Sequence, residues 1–305
     1  MPQKFLTFFL WIGLTFTCYA APFHQIEQHR IFTKQYTQNG TLFLITRAFI
    51  KDRIPFYLIT NTQTLKTFIK PEKELTTPLQ EVSKALKSTP FGHLLDQATS
   101  MVDTGGLQSI PASRALHLTM DMCPSFKEGY EDTVLDQATS LQRPLPIAIA
   151  ITKKWVDFHE KSFQELLTNS SLAITWVNHS STHFYDKTLP LHENFLLHVG
   201  TDISREILDV ESMLLSYGIT PSIFFRFPGL IADTKLMKTL RTTYFLVPLG
   251  SNAWIAKGEI PQKGSIILIH GNKNEPRGIE LFQKQLPSLL KEAHFAPLIT
   301  HSSHK

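Results

Sequence analysis

Five residues in the later part of the chain carry side chains that together can do chemistry: Asp121, His179, His183, Arg226 and His270, each at the end of a short apolar run. His179 and His183 are four apart, a spacing at which two neutral imidazoles on a turn or short helix can hold one divalent metal and leave positions open. A nearby carboxylate, Asp121, can take a proton from water that the ion acidifies. An arginine, Arg226, can keep that carboxylate ionised and oriented through paired hydrogen bonds. A histidine on the opposite side, His270, can protonate a leaving amine. The parts describe metal-assisted hydrolysis of an amide or ester. With 13 His in 305 residues, an HxxxH pair arises by chance about 0.5 times. The weight therefore lies on the common placement of the set, not on the pair.

That placement depends on the elements between. Strand-like runs at 115–120, 146–152, 172–177, 222–226, 243–248 and 265–269 alternate with helix-like stretches at 129–141, 153–167, 203–217, 234–241 and 278–292. Such alternation predicts a parallel α/β sheet or barrel, with each helix crossing back over the strands. Chemistry in these folds gathers where strands end. Residues 21–110 read differently: β-rich runs at 41–49 and 55–60, then helical spacing over 78–87, with Gly105-Gly106 and Pro111 marking a boundary near 110. The expected organisation is a leader over 1–20, a smaller N-terminal region over 21–110, and a (β/α) unit over 111–305.

Composition narrows the function classes. Lys+Arg of 30 against Asp+Glu of 26 leaves +4, too slight and scattered for a nucleic-acid binder. Two cysteines exclude a disulfide framework and a Cys₄ zinc site. At the N-terminus, Lys4 precedes an uncharged run over 5–17, and Cys18-Tyr19-Ala20 places small residues for a cut before Ala21. This reads as a cleaved export signal, leaving no stable membrane span and Cys123 as the only thiol. The expected location is the periplasm or the exterior of a bacterial cell. Nothing in the sequence sets the oligomeric state.

In chain order, Leu118-Thr119-Met120-Asp121-Met122-Cys123-Pro124, Asn178-His179-Ser180-Ser181-Thr182-His183, Arg226-Phe227-Pro228-Gly229 and Leu268-Ile269-His270 resemble the motifs of the polysaccharide deacetylase family (the NodB homology domain, carbohydrate esterase family four). The resemblance covers about 115–300. It implies a distorted (β/α) barrel that removes acetyl groups from an N-acetylated glycan with the help of a divalent metal, zinc being the first expectation. It further implies Asp121 as base, His270 as acid, Arg226 steadying the base, His179 and His183 as ligands, and Pro228 and Trp254 against the substrate. Two departures stand out. Met122 occupies the place of the family's ligating Asp, and a thioether is a poor zinc ligand. Cys123 replaces a Gly and could face the same way as Asp121, leaving the third ligand open between them. Cys123 also reads as a small buried residue or a nucleophile. No acid to tune His270 is evident over 251–254. A catalytically impaired, glycan-binding relative is therefore the alternative.

Overall fold

The computed structural model describes residues 23–299; the leader expected over 1–20 lies outside them. The described chain starts with four antiparallel strands in sequential order, β1 (Ile26–Gln38), β2 (Thr41–Lys51), β3 (Ile54–Asn61) and β4 (Thr67–Pro71). The expected runs at 41–49 and 55–60 are β2 and β3. β1 carries no sequence signal because its pairing with β2 shifts register twice, between Glu27 and Arg30 and between Ile31 and Lys34. Each bulge resets the two-residue alternation.

Of the helix expected over 78–87, only a short 3-10 helix at Lys84–Ser88 forms. Gln80 bridges to Gln35, and the Gln35 amide both donates to Ser83 Oγ (3.0 Å) and accepts from Ser83 N–H (3.0 Å). That holds the segment up to Ser83 extended. The α-helix instead begins twelve residues later as α1 (Pro90–Ser100), with Thr89 Oγ1 accepting from Gly92 N–H at 3.1 Å and Pro90 in its first turn.

The α/β part follows as β5 (His117–Met122), α2 (Asp132–Leu141), β6 (Leu145–Ile151), α3 (Lys153–Phe158), α4 (Glu160–Thr168), β7 (Leu172–Asn178), α5 (Ile203–Ser216), β8 (Phe224–Phe225), α6 (Thr234–Thr239), β9 (Val247–Pro248), β10 (Ala253–Trp254), β11 (Ile266–His270) and α7 (Pro276–Glu292). The seven later strands form one parallel sheet in the order β10-β11-β5-β6-β7-β8-β9. Its two edges do not pair, so this is a distorted (β/α) barrel left open. The segment after Gly106 spans the gap: Leu107 N–H donates to Pro248 O (2.9 Å), and Gln108 O accepts from Ile266 N–H (3.3 Å).

Three sequence expectations need correction here: the strand expected over 222–226 is reduced to the two residues of β8, and two further elements differ. The helix expected over 153–167 is two helices, because His159 leaves helical geometry at φ −132° and its ring bonds Ser125 O at 2.9 Å. The strand expected over 243–248 is reduced to β9. Residues Leu240–Tyr244 continue α6 as a wide turn that stops at Phe245, φ 52°.

Alternation along the strands sorts the core. Leu118, Met120 and Met122, with Ile147, Ile149, Ile151, Ile267 and Ile269, pack under α2, α3, α4, α5 and α7. Ala148, Ala150, Val177 and Ile266 face the other way and meet Leu44, Phe91 and Leu95 from the N-terminal region. The two faces bury apolar area at roughly 25 cal/mol per Å².

A polar junction joins the first sheet to the barrel. Arg47 on β2 donates from Nε and an amino group to Glu211 on α5 (2.7 and 2.8 Å), both side chains 1% exposed. His29 beside them bonds Ser212 Oγ through Nδ1 at 2.8 Å, with Nε2 3.4 Å from Glu211. Burial, reinforced by Arg47, outweighs Glu211 and pushes the imidazole below its ordinary 6.5. The unfolded chain therefore binds this proton more readily than the folded one. Stability is full above about 6.5 and falls as the pH drops below it toward the folded value. Thermal melts over a series from about pH 7 down to about pH 5.5 should show that fall, and His29→Gln should flatten it. An unchanged slope in the variant would remove His29 as the cause.

No described helix is long and apolar enough to cross a membrane.

Candidate active site

The alternation that sends Met122 into the helix-facing core sends Asp121 and Cys123 to the opposite face. β7 continues the same parity to His179, and β11 to Leu268 and His270. Met122 is 0% exposed among core residues, and a Cβ on Gly271 would stand 2.5 Å and 2.6 Å from the Met120 and Met122 sulfurs. Met122 therefore does not face the site, and the place that looked like a missing ligand is a core position.

Cys123 lies where a ligand would. Its sulfur is 3.5 Å from His179 Nε2, and ligand atoms of Cys123, His179 and His183 all fall within 4.8 Å of one another. Sulfur and imidazole ligands of one tetrahedral zinc, at ~2.3 and ~2.0 Å from the ion, lie roughly 3.5 Å apart. The group fits a divalent ion on three further counts. His179 Nδ1 donates to Arg226 O at 2.9 Å, which leaves Nε2 with its lone pair toward the cluster. Burial pushes the His179 imidazole below its usual value, favouring the neutral, ligating form. His183 Nε2 is buried and has no hydrogen-bond partner among the described residues. Burial raises the Cys123 thiol, but the facing His183 and His270 more than offset it and bring it to about 7, where thiolate is accessible. Asn272 Nδ2 holds the Cys123 carbonyl at 2.9 Å.

Asp121 stands beside this group. Its Oδ1 accepts from the Arg226 guanidinium at 3.2 Å and its Oδ2 is 3.7 Å from His179 Nε2. Arg226 is 0% exposed and is itself aimed by Thr119 Oγ1 (3.0 Å) and Gly250 O (3.2 Å). Burial pushes the Asp121 carboxyl up, while Arg226 and the surrounding histidines prevail and keep it below the ordinary carboxylate value.

The acid missing from 251–254 is Glu275. Its Oε2 accepts from His270 Nδ1 at 2.8 Å, and both oxygens lie 3.3 Å from Trp254 Nε1. Burial lowers the His270 imidazole, but contacts with Cys123 and Glu275 more than reverse this and hold it well above its usual value. The signal was present in the sequence: an acid five residues past a strand-end histidine, directly before the Pro that opens α7.

The open face is a cavity of about 630 Å³ whose walls include Cys123, His183, Tyr185, Trp254 and His270. Trp254 forms part of the wall, yet Lys257 Nζ already sits 3.8 Å over its ring, so that ring face is taken. Pro228 is buried and is not part of the wall. Its neighbours Gly229 and Leu230 are. Gly229 has φ 62°, and a Cβ there would come within 2.7 Å of the Phe195 ring.

No known family model matches the sequence. Among solved structures, the fold is similar to a family 4 carbohydrate esterase from Bacillus subtilis, 17% identical over 78% of this chain and 91% of that one, TM-score 0.49. It is also similar to a family 4 carbohydrate esterase from Bacillus anthracis, 20% identical over 68% of this chain and 89% of that one, TM-score 0.48. A third similar structure is a mutant of a CE4 family pseudoenzyme with restored enzymatic activity, 12% identical over 90% of each chain, TM-score 0.43.

Proposed function

We propose that this protein is an exported, metal-dependent hydrolase that removes N-acetyl or O-acetyl groups from a polysaccharide or cell-envelope glycan. The observation that carries the reading is the convergence of Cys123, His179 and His183 beside a clamped carboxylate and an oriented imidazole. Cys123, His179 and His183 would hold the ion, zinc being the metal that suits one thiolate and two imidazoles. Such an ion supplies Lewis acidity to an acyl carbonyl and to water. Asp121, kept ionised by Arg226, accepts the proton of the attacking water. His270, kept charged by Glu275, donates a proton to the departing amine or alkoxide. Glu275 also fixes which ring nitrogen of His270 is free, since Nδ1 is engaged. Trp254 and Tyr185 close the cavity around an acetyl-bearing sugar.

The reading of an impaired, glycan-binding relative drew on an absent third ligand and an absent acid. Cys123 and Glu275 are candidates for both roles, which favours turnover.

Acetate released from chitooligosaccharides and peptidoglycan fragments, with zinc added, is the direct test. Release by the mature protein is expected, and Asp121→Ala should lower it by roughly 10²–10⁴-fold, the range for loss of a general base. Folded, zinc-loaded protein that binds these glycans yet releases no acetate would overturn the hydrolase in favour of the binder.

A further inference from the structure

The loop from His179 to His183 has a backbone shape that few residues choose. Ser180 and His183 both adopt positive φ, 71° and 48°, in the left-handed region that non-glycine residues seldom occupy. Between them the Ser181 and Thr182 N–H groups converge, an arrangement that binds anions. The anion present is Glu206, from the first turn of α5. Its Oε2 accepts from both N–H groups at 2.9 Å, and its Oε1 accepts from Thr182 Oγ1 at 2.6 Å. Glu206 is 6% exposed. A carboxylate is costly to bury unless its oxygens are hydrogen-bonded, and a neutral amide would offer one accepting oxygen where this loop uses two. α5 is in turn anchored five residues on, where Glu211 meets Arg47.

We propose that Glu206 is a positioning residue, which sets the ligand pair His179 and His183 at the spacing that the ion requires by clamping the two N–H groups of the loop between them. This rests on the metal reading of the site above. Glu206 lies outside the ligand set and is not a catalytic residue. Its influence passes through the loop, in the way that hydrogen bonds behind first ligands tune a metal site. The buried Nε2 of His183 has no hydrogen-bond partner among the described residues; its ring packs edge-on against Phe195, and its backbone position is set by that loop.

The test is zinc affinity by competition with a chelator, together with the absorption spectrum of the cobalt-substituted protein. Glu206→Ala is expected to weaken zinc by roughly 10- to 100-fold, the usual cost of removing such a partner, and to alter the cobalt spectrum. Glu206→Asp keeps a buried carboxylate but falls one methylene short. It is expected to weaken zinc too and decides the matter if the alanine variant does not fold. A purely structural role would lower the melting temperature of the metal-free variants while zinc affinity stayed within about twofold of the parent and the cobalt spectrum did not change. That result would overturn the proposal. If the parent itself binds no zinc, the metal reading falls, and this is seen before any variant is made.

Discussion

Cys123→Ala is expected to abolish stable zinc binding and turnover with it. A four-ligand zinc site provides ~10–16 kcal/mol, so one ligand is worth about 3 kcal/mol and its loss should weaken zinc on the order of 100-fold or more. Only His179 and His183 would remain. Two comparisons separate ligand from bystander. Cobalt-loaded parent should show a thiolate charge-transfer band that Cys123→Ala lacks. Cys123→Asp should recover binding without that band and shift preference toward harder ions, because carboxylate oxygen suits them better than sulfur. Parent-like zinc affinity in Cys123→Ala would mean that Asp121 is the third ligand and that another group must serve as base. The same variants also dispose of a nucleophilic role: a thiol nucleophile would leave zinc affinity intact while turnover was lost.

Arg226→Met should give the largest loss of stability of any single change at the site. Breaking a buried ion pair by removing one partner costs about 3–5 kcal/mol, because the remaining charge is left uncompensated. Here the remaining charge is Asp121, 3% exposed. The pH dependence supplies a second readout. In the metal-free parent the Asp121 carboxyl lies below its ordinary 3.8, so its contribution is present above about 3.8 and is lost as the pH falls through the lower folded value. Without Arg226, burial dominates and the carboxyl rises above 3.8. The contribution is then full below about 3.8 and is lost as the pH rises through the folded value. The variant should therefore grow relatively more stable on acidification, where the parent gains nothing. Urea or thermal melts from about pH 3.5 to about pH 7 will show whether the slope changes sign, and parallel curves would mean that Arg226 is not what keeps Asp121 charged. Turnover should fall as well, since a protonated Asp121 cannot accept a proton at neutral pH.

How much of this could be read beforehand depends on how far apart the deciding residues lie. Asp121, His179, Arg226 and His270 were readable because the end of an apolar run is a local feature, and parallel strands bring their ends to one rim. β1 was not readable, since its two bulges erase the alternation that a strand is recognised by. The helix over 78–87 was misplaced because Gln35, over forty positions earlier, holds Ser83 extended. Apolar spacing alone does not register such a competitor.

The chemistry of the site divides in the same way. The sequence alone determined that strands and helices alternate in the α/β part, which side chains stand at the strand ends, and that two histidines, a carboxylate and an arginine are available there. Apolar periodicity and residue type suffice for that. Only the tertiary structure decided that Met122 belongs to the core and Cys123 to the cavity. A strand's parity becomes inside or outside only once the helices cover one face. It also decided that Glu275 serves His270 and that Glu206 holds the ligand loop. The first partnership depends on how the chain turns after β11. The second joins residues 24 and 25 positions apart, and no spacing rule specifies a contact made between a loop and the helix that packs beside it.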